Sequence, residues 1–168
     1  MQNNFIALYG VTNVGKTTQI DLFVKRCLKN NIACNKLKYP KYDLQPTGFL
    51  ITEAIKGGNP KKLSAAEIQA LMAKNRFDFQ PNLERIMFES DIVIAEMYTG
   101  TGIAYGIGDG VNKETLFAIN EGLIIPRICV LLDGKRFLES IEKGHRFEED
   151  FDKTGYIRHI HLDLAKQY

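Results

Sequence analysis

The stretch Phe5-Ile-Ala-Leu-Tyr9-Gly10-Val-Thr-Asn-Val-Gly15-Lys16-Thr17-Thr18-Gln19 decides the fold. Its first five residues are apolar without alternation, as in a parallel strand buried on both faces. Residues 10–17 then fit G-x-x-x-x-G-K-[ST], and 18–28 carries Ile20, Phe23 and Cys27 at helical spacing. A strand that runs through this loop into a helix is the setting in which the motif cradles phosphate. Gly10 and Gly15 let the backbone wrap a phosphate chain without Cβ clashes. The amides of Thr12, Asn13, Val14, Gly15 and on to Thr18, with the helix dipole behind them, attract the anion. Lys16 reaches the β- and γ-phosphates, and Thr17 ligates Mg²⁺. A plain strand-to-helix turn would not demand Lys-Thr after the second glycine, so the motif predicts binding of ATP or GTP.

Further strands are expected at 92–95 and 128–132, both apolar, and at 33–39, whose Lys36 and Lys38 suit a sheet edge. Helical patterns lie between them. Ser64-Ala-Ala-Glu67 is a capping box that opens a long helix bearing Ile68, Leu71, Met72 and Phe79. Pro81 is expected to kink that helix or to start a second one carrying Leu83, Ile86 and Met87. Residues 113–123, 137–141 and 156–168 read as three more helices, and 41–45, 56–62 and 106–112 as loops. Strands alternating with helices mean an α/β domain with a parallel sheet and right-handed crossovers. The fold expected is a P-loop NTPase fold, three layers deep as α/β/α, in a single domain over 1–168.

Composition narrows the function. The 168 residues are 45% hydrophobic and 25% charged, enough for one core without disulfides or metal. The 22 Lys and Arg against 20 Asp and Glu leave +2, with no basic block, which demotes a nucleic-acid polymer as partner. No apolar run is long enough to span a membrane, and Met1-Gln-Asn-Asn shows no secretory signal. Cys27, Cys34 and Cys129 form no Cys-x-x-Cys and read as reduced thiols in the cytoplasm. A switch GTPase needs Asn-Lys-x-Asp, but Asn112-Lys113-Glu114-Thr115 lacks the aspartate. The lone Asp-x-x-Gly, at 152–155, follows no core strand. His159 and His161, two apart on one helix, point in different directions and have no further ligand at zinc spacing. A small phosphotransferase remains.

At this point the chain resembles the thymidylate kinase family through nearly its whole length. The resemblance is carried by 10–19, by Tyr39-Pro40, by Leu63-Ser-Ala with Asn75-Arg76-Phe77, by 92–96 with Tyr98 and Thr101-Gly-Ile-Ala-Tyr105, and by Arg146-Phe-Glu148. It implies transfer of the ATP γ-phosphate, with Mg²⁺, to a thymidine monophosphate-like acceptor in a homodimeric cytosolic enzyme. It also implies that Arg76 hydrogen-bonds the base, that Tyr105 lies under the deoxyribose, and that Tyr39 and Tyr98 belong to the acceptor site. Met72 stands where the family stacks phenylalanine on the base; contact with the ring and plain core filling both remain open. Arg146 falls in the family's mobile lid, here at 142–153 with Lys143, and would stabilise charge on the transferring phosphoryl group.

Departures from the family fall around the acceptor phosphate. Met97 and Tyr42 replace arginines that contact it, and Lys41 or Tyr42 is expected to take over. Thr12 replaces an acid used on the sugar, and Asn13 an arginine that some members carry in the loop. Glu96 stands for the aspartate that organises the metal at the end of the third strand. These changes leave open a kinase of another deoxynucleotide or nucleoside, or a non-catalytic nucleotide-binding paralogue. The resemblance also implies a fifth strand and a further helix beyond 168; without that strand, 128–132 would be an apolar open edge.

Overall fold

The computed structural model describes residues 3–141, 146 and 150–166. Four parallel strands, β1 (Phe5–Tyr9), β2 (Cys34–Lys38), β3 (Ile92–Glu96) and β4 (Ile128–Leu131), form one sheet in the order β2-β3-β1-β4. Period-two alternation assigns its faces. Phe5, Ala7, Tyr9, Val93 and Ala95 pack with Leu83, Ile86 and Met87 of helix α3 (Ala65–Glu89). Ile6, Leu8 and Ile94 pack with Ile20 and Phe23 of helix α1 (Lys16–Lys29) on the other side. The expected three layers follow directly. β2 forms one edge, with Lys36 and Lys38 exposed, as its lysines indicate. β4 forms the other and has no outer neighbour among the described residues; Ile128 and Val130 stay 48% and 43% exposed there.

The Ser64 capping box is present: Ser64 Oγ accepts from the Glu67 amide, and Glu67 Oε2 accepts from the Ser64 amide. α3 then runs through Pro81 as one element, so of the two expectations there, a kink or a second helix, the second helix is not met. Leu83, fully buried, with Ile86 and Met87 holds the downstream turns on the sheet, which offsets the hydrogen bond that proline cannot make.

Five helical elements differ from the sequence expectation. α2 (Thr47–Ile55) fills a segment to which no element was assigned. α4 (Thr99–Gly108) takes in the start of the expected loop at 106–112. Four glycines in ten positions argue against a helix by propensity. Packing overrides that, because α4 is wedged among its neighbours. A Cβ at Gly106 would come within 2.5 Å of Leu116 Cδ2, and one at Gly108 within 2.6 Å of Ile157 Cγ1. α5 (Lys113–Ala118) stops short of the expected 123, where Asn120 turns its Nδ2 back onto the Leu116 carbonyl. A 3₁₀ turn at Leu138–Ser140 replaces the short helix at 137–141. α6 (Phe151–Ala165) begins five residues before the expected start, capped by Asp150 Oδ1 on the Lys153 amide. Among the described residues, no helix is long and apolar enough to cross a membrane.

Candidate active site

The carboxyl ends of the strands carry the site, as parallel α/β sheets dictate. Between β1 and α1 the phosphate loop takes left-handed backbone at Gly10, Asn13 and Gly15 (φ 136°, 60° and 95°). Gly10 is obligatory twice over, since a Cβ there would lie 2.3 Å from the Leu132 carbonyl oxygen. Val14 is buried beneath the loop, while Thr18 sits on the exposed first turn of α1. Lys16 is 3% exposed and donates from Nζ to the Val11 carbonyl at 2.6 Å. Thr17 Oγ1 donates to Glu96 Oε2 at 2.8 Å, which unites the two side chains expected at a magnesium ion. Two oxygens side by side, one a carboxylate, suit Mg²⁺ when phosphates supply further ligands. Lys38 Nζ lies 3.5 Å from the other carboxylate oxygen of Glu96.

Beside the loop is a small cleft of about 40 Å³. Tyr39, Met72, Arg76, Tyr98 and Tyr105, expected at the acceptor from separate parts of the chain, all line it, and so do Thr12 and Met97. Arg76 is 4% exposed and donates from Nη2 to Asn120 Oδ1 at 2.9 Å. Burial pulls its guanidinium down to about 10, opposed by Tyr98, Tyr9 and Tyr39, so it remains a cation at neutral pH. Burial likewise pushes the Tyr98 hydroxyl up to about 12 and the Tyr39 hydroxyl higher still, so both stay protonated. The rings of Tyr39 and Tyr98 are 5.1 Å apart. Tyr105 joins cleft to loop: its hydroxyl accepts from the Thr12 amide at 3.2 Å.

The structure does not bring Lys41 and Tyr42 into that lining. The Lys41 backbone is clasped by the Asn75 carboxamide, and its Nζ sits over the Phe79 ring, 4.0 Å from Asp43. Tyr42 packs against the core below α4, with Lys56 over its ring. Arg146 is found on Asp109 at the end of α4, Nη2 to Oδ2 3.3 Å, and Lys153 pairs with the same carboxylate. The expected lid companion Lys143 lies outside the described residues.

Several site residues escaped the sequence reading. Arg136 donates from Nε to the Thr12 carbonyl at 3.2 Å and from Nη2 to Thr12 Oγ1 at 3.4 Å, with its guanidinium over the Phe151 ring. It follows β4 by five residues, and position past the carboxyl end of a strand was the available signal. Gln69 and Thr101 line the cleft, and Gln69 shares the α3 face of Met72 and Arg76 at helical spacing. His161 lies 5% exposed, edge-on to the Tyr105 ring at 6.3 Å. Burial, then Lys16, hold its imidazole down to about 4, so it is neutral at pH 7.

Comparison with known proteins bears on the chain as a whole. The family model described as thymidylate kinase matches residues 8–167. A thymidylate kinase of Plasmodium falciparum is 25% identical over 191 residues, spanning 99% of this chain and 90% of that protein. The solved thymidylate kinase of Candida albicans superposes with a TM-score of 0.76 at 22% identity, covering 96% of this chain and 77% of the other. That of Ehrlichia chaffeensis gives 0.71 at 21%, covering 98% and 83%. At such identities the two structures establish the fold. The family match over nearly the whole chain goes further, and by it this chain belongs to the thymidylate kinase family.

Proposed function

We propose that the chain transfers the γ-phosphoryl group of ATP to thymidine monophosphate, forming ADP and thymidine diphosphate. The observation that carries this reading is a buried cation, Arg76, in a cleft that the Tyr105 hydroxyl ties to the phosphate loop. A guanidinium there can donate to a base carbonyl, while the loop amides and Lys16 take the phosphates of the donor.

Phosphoryl transfer asks the protein for positioning and charge neutralisation more than for covalent chemistry. Lys16 exchanges the Val11 carbonyl for donor phosphate oxygens. Thr17 and Glu96 would hold Mg²⁺, which would supply neutralisation of charge on the phosphates. Arg136 on Thr12 places a second cation at the mouth of the loop, and Arg146, released from Asp109, supplies one from the lid. Tyr105 lies beside the acceptor sugar, and Tyr39 and Tyr98 wall the cleft. We place the reaction in the cytoplasm, consistent with three unpaired cysteines, and in a homodimer formed through α3, where Phe77 and Phe88 are exposed. The lid expected at 142–153 of a single domain lies mostly outside the described residues and stays part of this proposal.

A coupled ADP-release assay across nucleosides and nucleoside monophosphates tests the proposal. Thymidine monophosphate is expected to give the highest kcat/KM. Absence of any stimulation by it would overturn the acceptor assignment, and ATP binding without turnover on any acceptor would leave only a nucleotide-binding protein.

A further inference from the structure

The acceptor cleft contains a carboxamide whose hydrogen-bonding capacity the fold leaves unused. Gln69 is 1% exposed, and neither Oε1 nor Nε2 has a partner among the described residues. A buried amide without partners destabilises the free protein, and leucine or methionine would fill the same space without that cost. Its position gives the reason. Gln69, Met72 and Arg76 stand at i, i+3 and i+7 on α3, and all three line the cleft. Opposite them, α4 offers no side chain at Gly102. A Cβ there would lie 3.0 Å from Arg76 Nη2 and 3.2 Å from Gln69 Oε1, so both polar heads converge on one gap.

We propose that Gln69 is a specificity residue that reads the edge of the acceptor base, paired with the imide of a thymine or uracil ring. The proposal rests on the acceptor reading given above. An imide presents one N–H between two carbonyls. A carboxamide presents the complement, an acceptor and a donor in one plane. Gln69 Oε1 accepts from the ring N3–H, and Nε2 donates to an adjoining carbonyl. Arg76 has donors only; it matches the O4 carbonyl and opposes the amino group of cytosine. A carboxamide by itself could turn over and serve either ring. Asn120 anchors Arg76 at 2.9 Å, so the arginine fixes the polarity and Gln69 supplies the acceptor that N3–H needs.

The test is calorimetric titration of thymidine monophosphate and its N3-methyl derivative into the wild-type chain and Gln69→Met. Methionine keeps the volume and removes both polar atoms. N3-methylation should weaken binding to wild type by about tenfold or more, and Gln69→Met should weaken binding of the unmodified nucleotide similarly. In Gln69→Met the methyl penalty should largely disappear. The ligand-free variant should melt at or above the wild-type temperature, because an unsatisfied buried group has been removed. A glutamine with only a structural role would give a lower melting temperature and an unchanged methyl penalty. If methionine is not tolerated, Gln69→Leu serves the same comparison. Equal wild-type affinity for the two nucleotides, or a methyl penalty that survives in the variant, would overturn the proposal while turnover of thymidine monophosphate upheld the acceptor reading. A wild-type chain that binds ATP but neither thymidine nucleotide would defeat both.

Discussion

The phosphate loop and the acceptor cleft are neighbours joined by Tyr105, yet they treat their polar groups in opposite ways. In the loop, Lys16 bonds the Val11 carbonyl, Thr17 bonds Glu96, the Thr12 amide bonds Tyr105, and Arg136 bonds Thr12. In the cleft, Tyr39 and Tyr98 hydroxyls, Thr101 Oγ1, Arg76 Nε and both Gln69 amide atoms are buried without partners among the described residues. Buried polar groups are paired in the great majority of cases, so a cluster of exceptions needs a physical cause. The loop pairs most of its polar groups internally and, on the proposed function, exchanges such bonds for the donor phosphates. On the proposed function, the missing bonds of the cleft are those its ligand makes. Substitutions in the loop should therefore damage turnover and local structure together, whereas substitutions in the cleft should damage binding and spare the fold.

The sharpest test of the loop half is Lys16→Ala. It removes the cation that meets the transferring phosphate, and turnover should fall about a thousandfold. The Val11 carbonyl, which accepts from Lys16 Nζ, loses that partner, so the melting temperature should fall as well. An enzyme of unaltered rate would break the assignment of the loop.

Arg76→Met tests the cleft half. Acceptor KM should rise about a hundredfold, in line with losing a charged hydrogen bond in a buried site. The melting temperature should barely move, because the variant also removes a desolvated charge and an unpaired Nε. A variant that unfolds while acceptor KM stays normal would make Arg76 a structural cation held by Asn120 and erase the contrast.

This contrast also explains what was legible beforehand. The loop and its flanking elements are local: the glycines, Lys16 and Thr17 lie within eight residues, and the motif needs no tertiary context. Capping at Ser64 and the lysine-bearing edge strand were legible for the same reason. The cleft is assembled from β2, α3 and α4, and its members were identified through family resemblance rather than periodicity. α4 was hidden because four glycines lower helix propensity, although those glycines let Leu116, Ile157 and Arg76 approach. Lys41 and Tyr42, expected at the acceptor phosphate, stand outside the cleft lining, because sequence adjacency to Tyr39-Pro40 does not say which way a side chain leaves the backbone. Gln69 and Arg136 carried no motif at all; only burial without partners, and a bond to Thr12, single them out.

Arg136 sits between the two halves and should have a smaller effect. Arg136→Ala frees the Thr12 carbonyl and removes a cation from the loop mouth, for an expected loss of about tenfold in kcat. Arg136→Lys should restore only part of it, since a point charge cannot keep both bonds to Thr12 or the planar contact with Phe151. Full rescue by lysine would reduce the role of Arg136 to charge alone.

The smallest effect is a pH dependence that couples the halves through His161. Burial and then Lys16 hold the folded imidazole at about 4, against 6.5 for an ordinary histidine. Between those values the unfolded chain binds a proton that the folded chain refuses, so stability rises with pH through the window. The His161 contribution is complete above the ordinary value and is lost as pH falls toward the folded one. Cooling of the melting point between about pH 7 and 5.5 should correspond to about 1 kcal/mol, or about 3 °C in a chain of this size. His161→Phe should flatten that part of the profile, as differential scanning calorimetry at matched ionic strength would show. Saturating ATP should flatten it as well, because phosphates drawn to Lys16 offset the positive charge that helps to keep the imidazole neutral. If the slope survives in His161→Phe, other groups carry it; if it vanishes there but ignores ATP, Lys16 and the acceptor wall are not electrostatically joined.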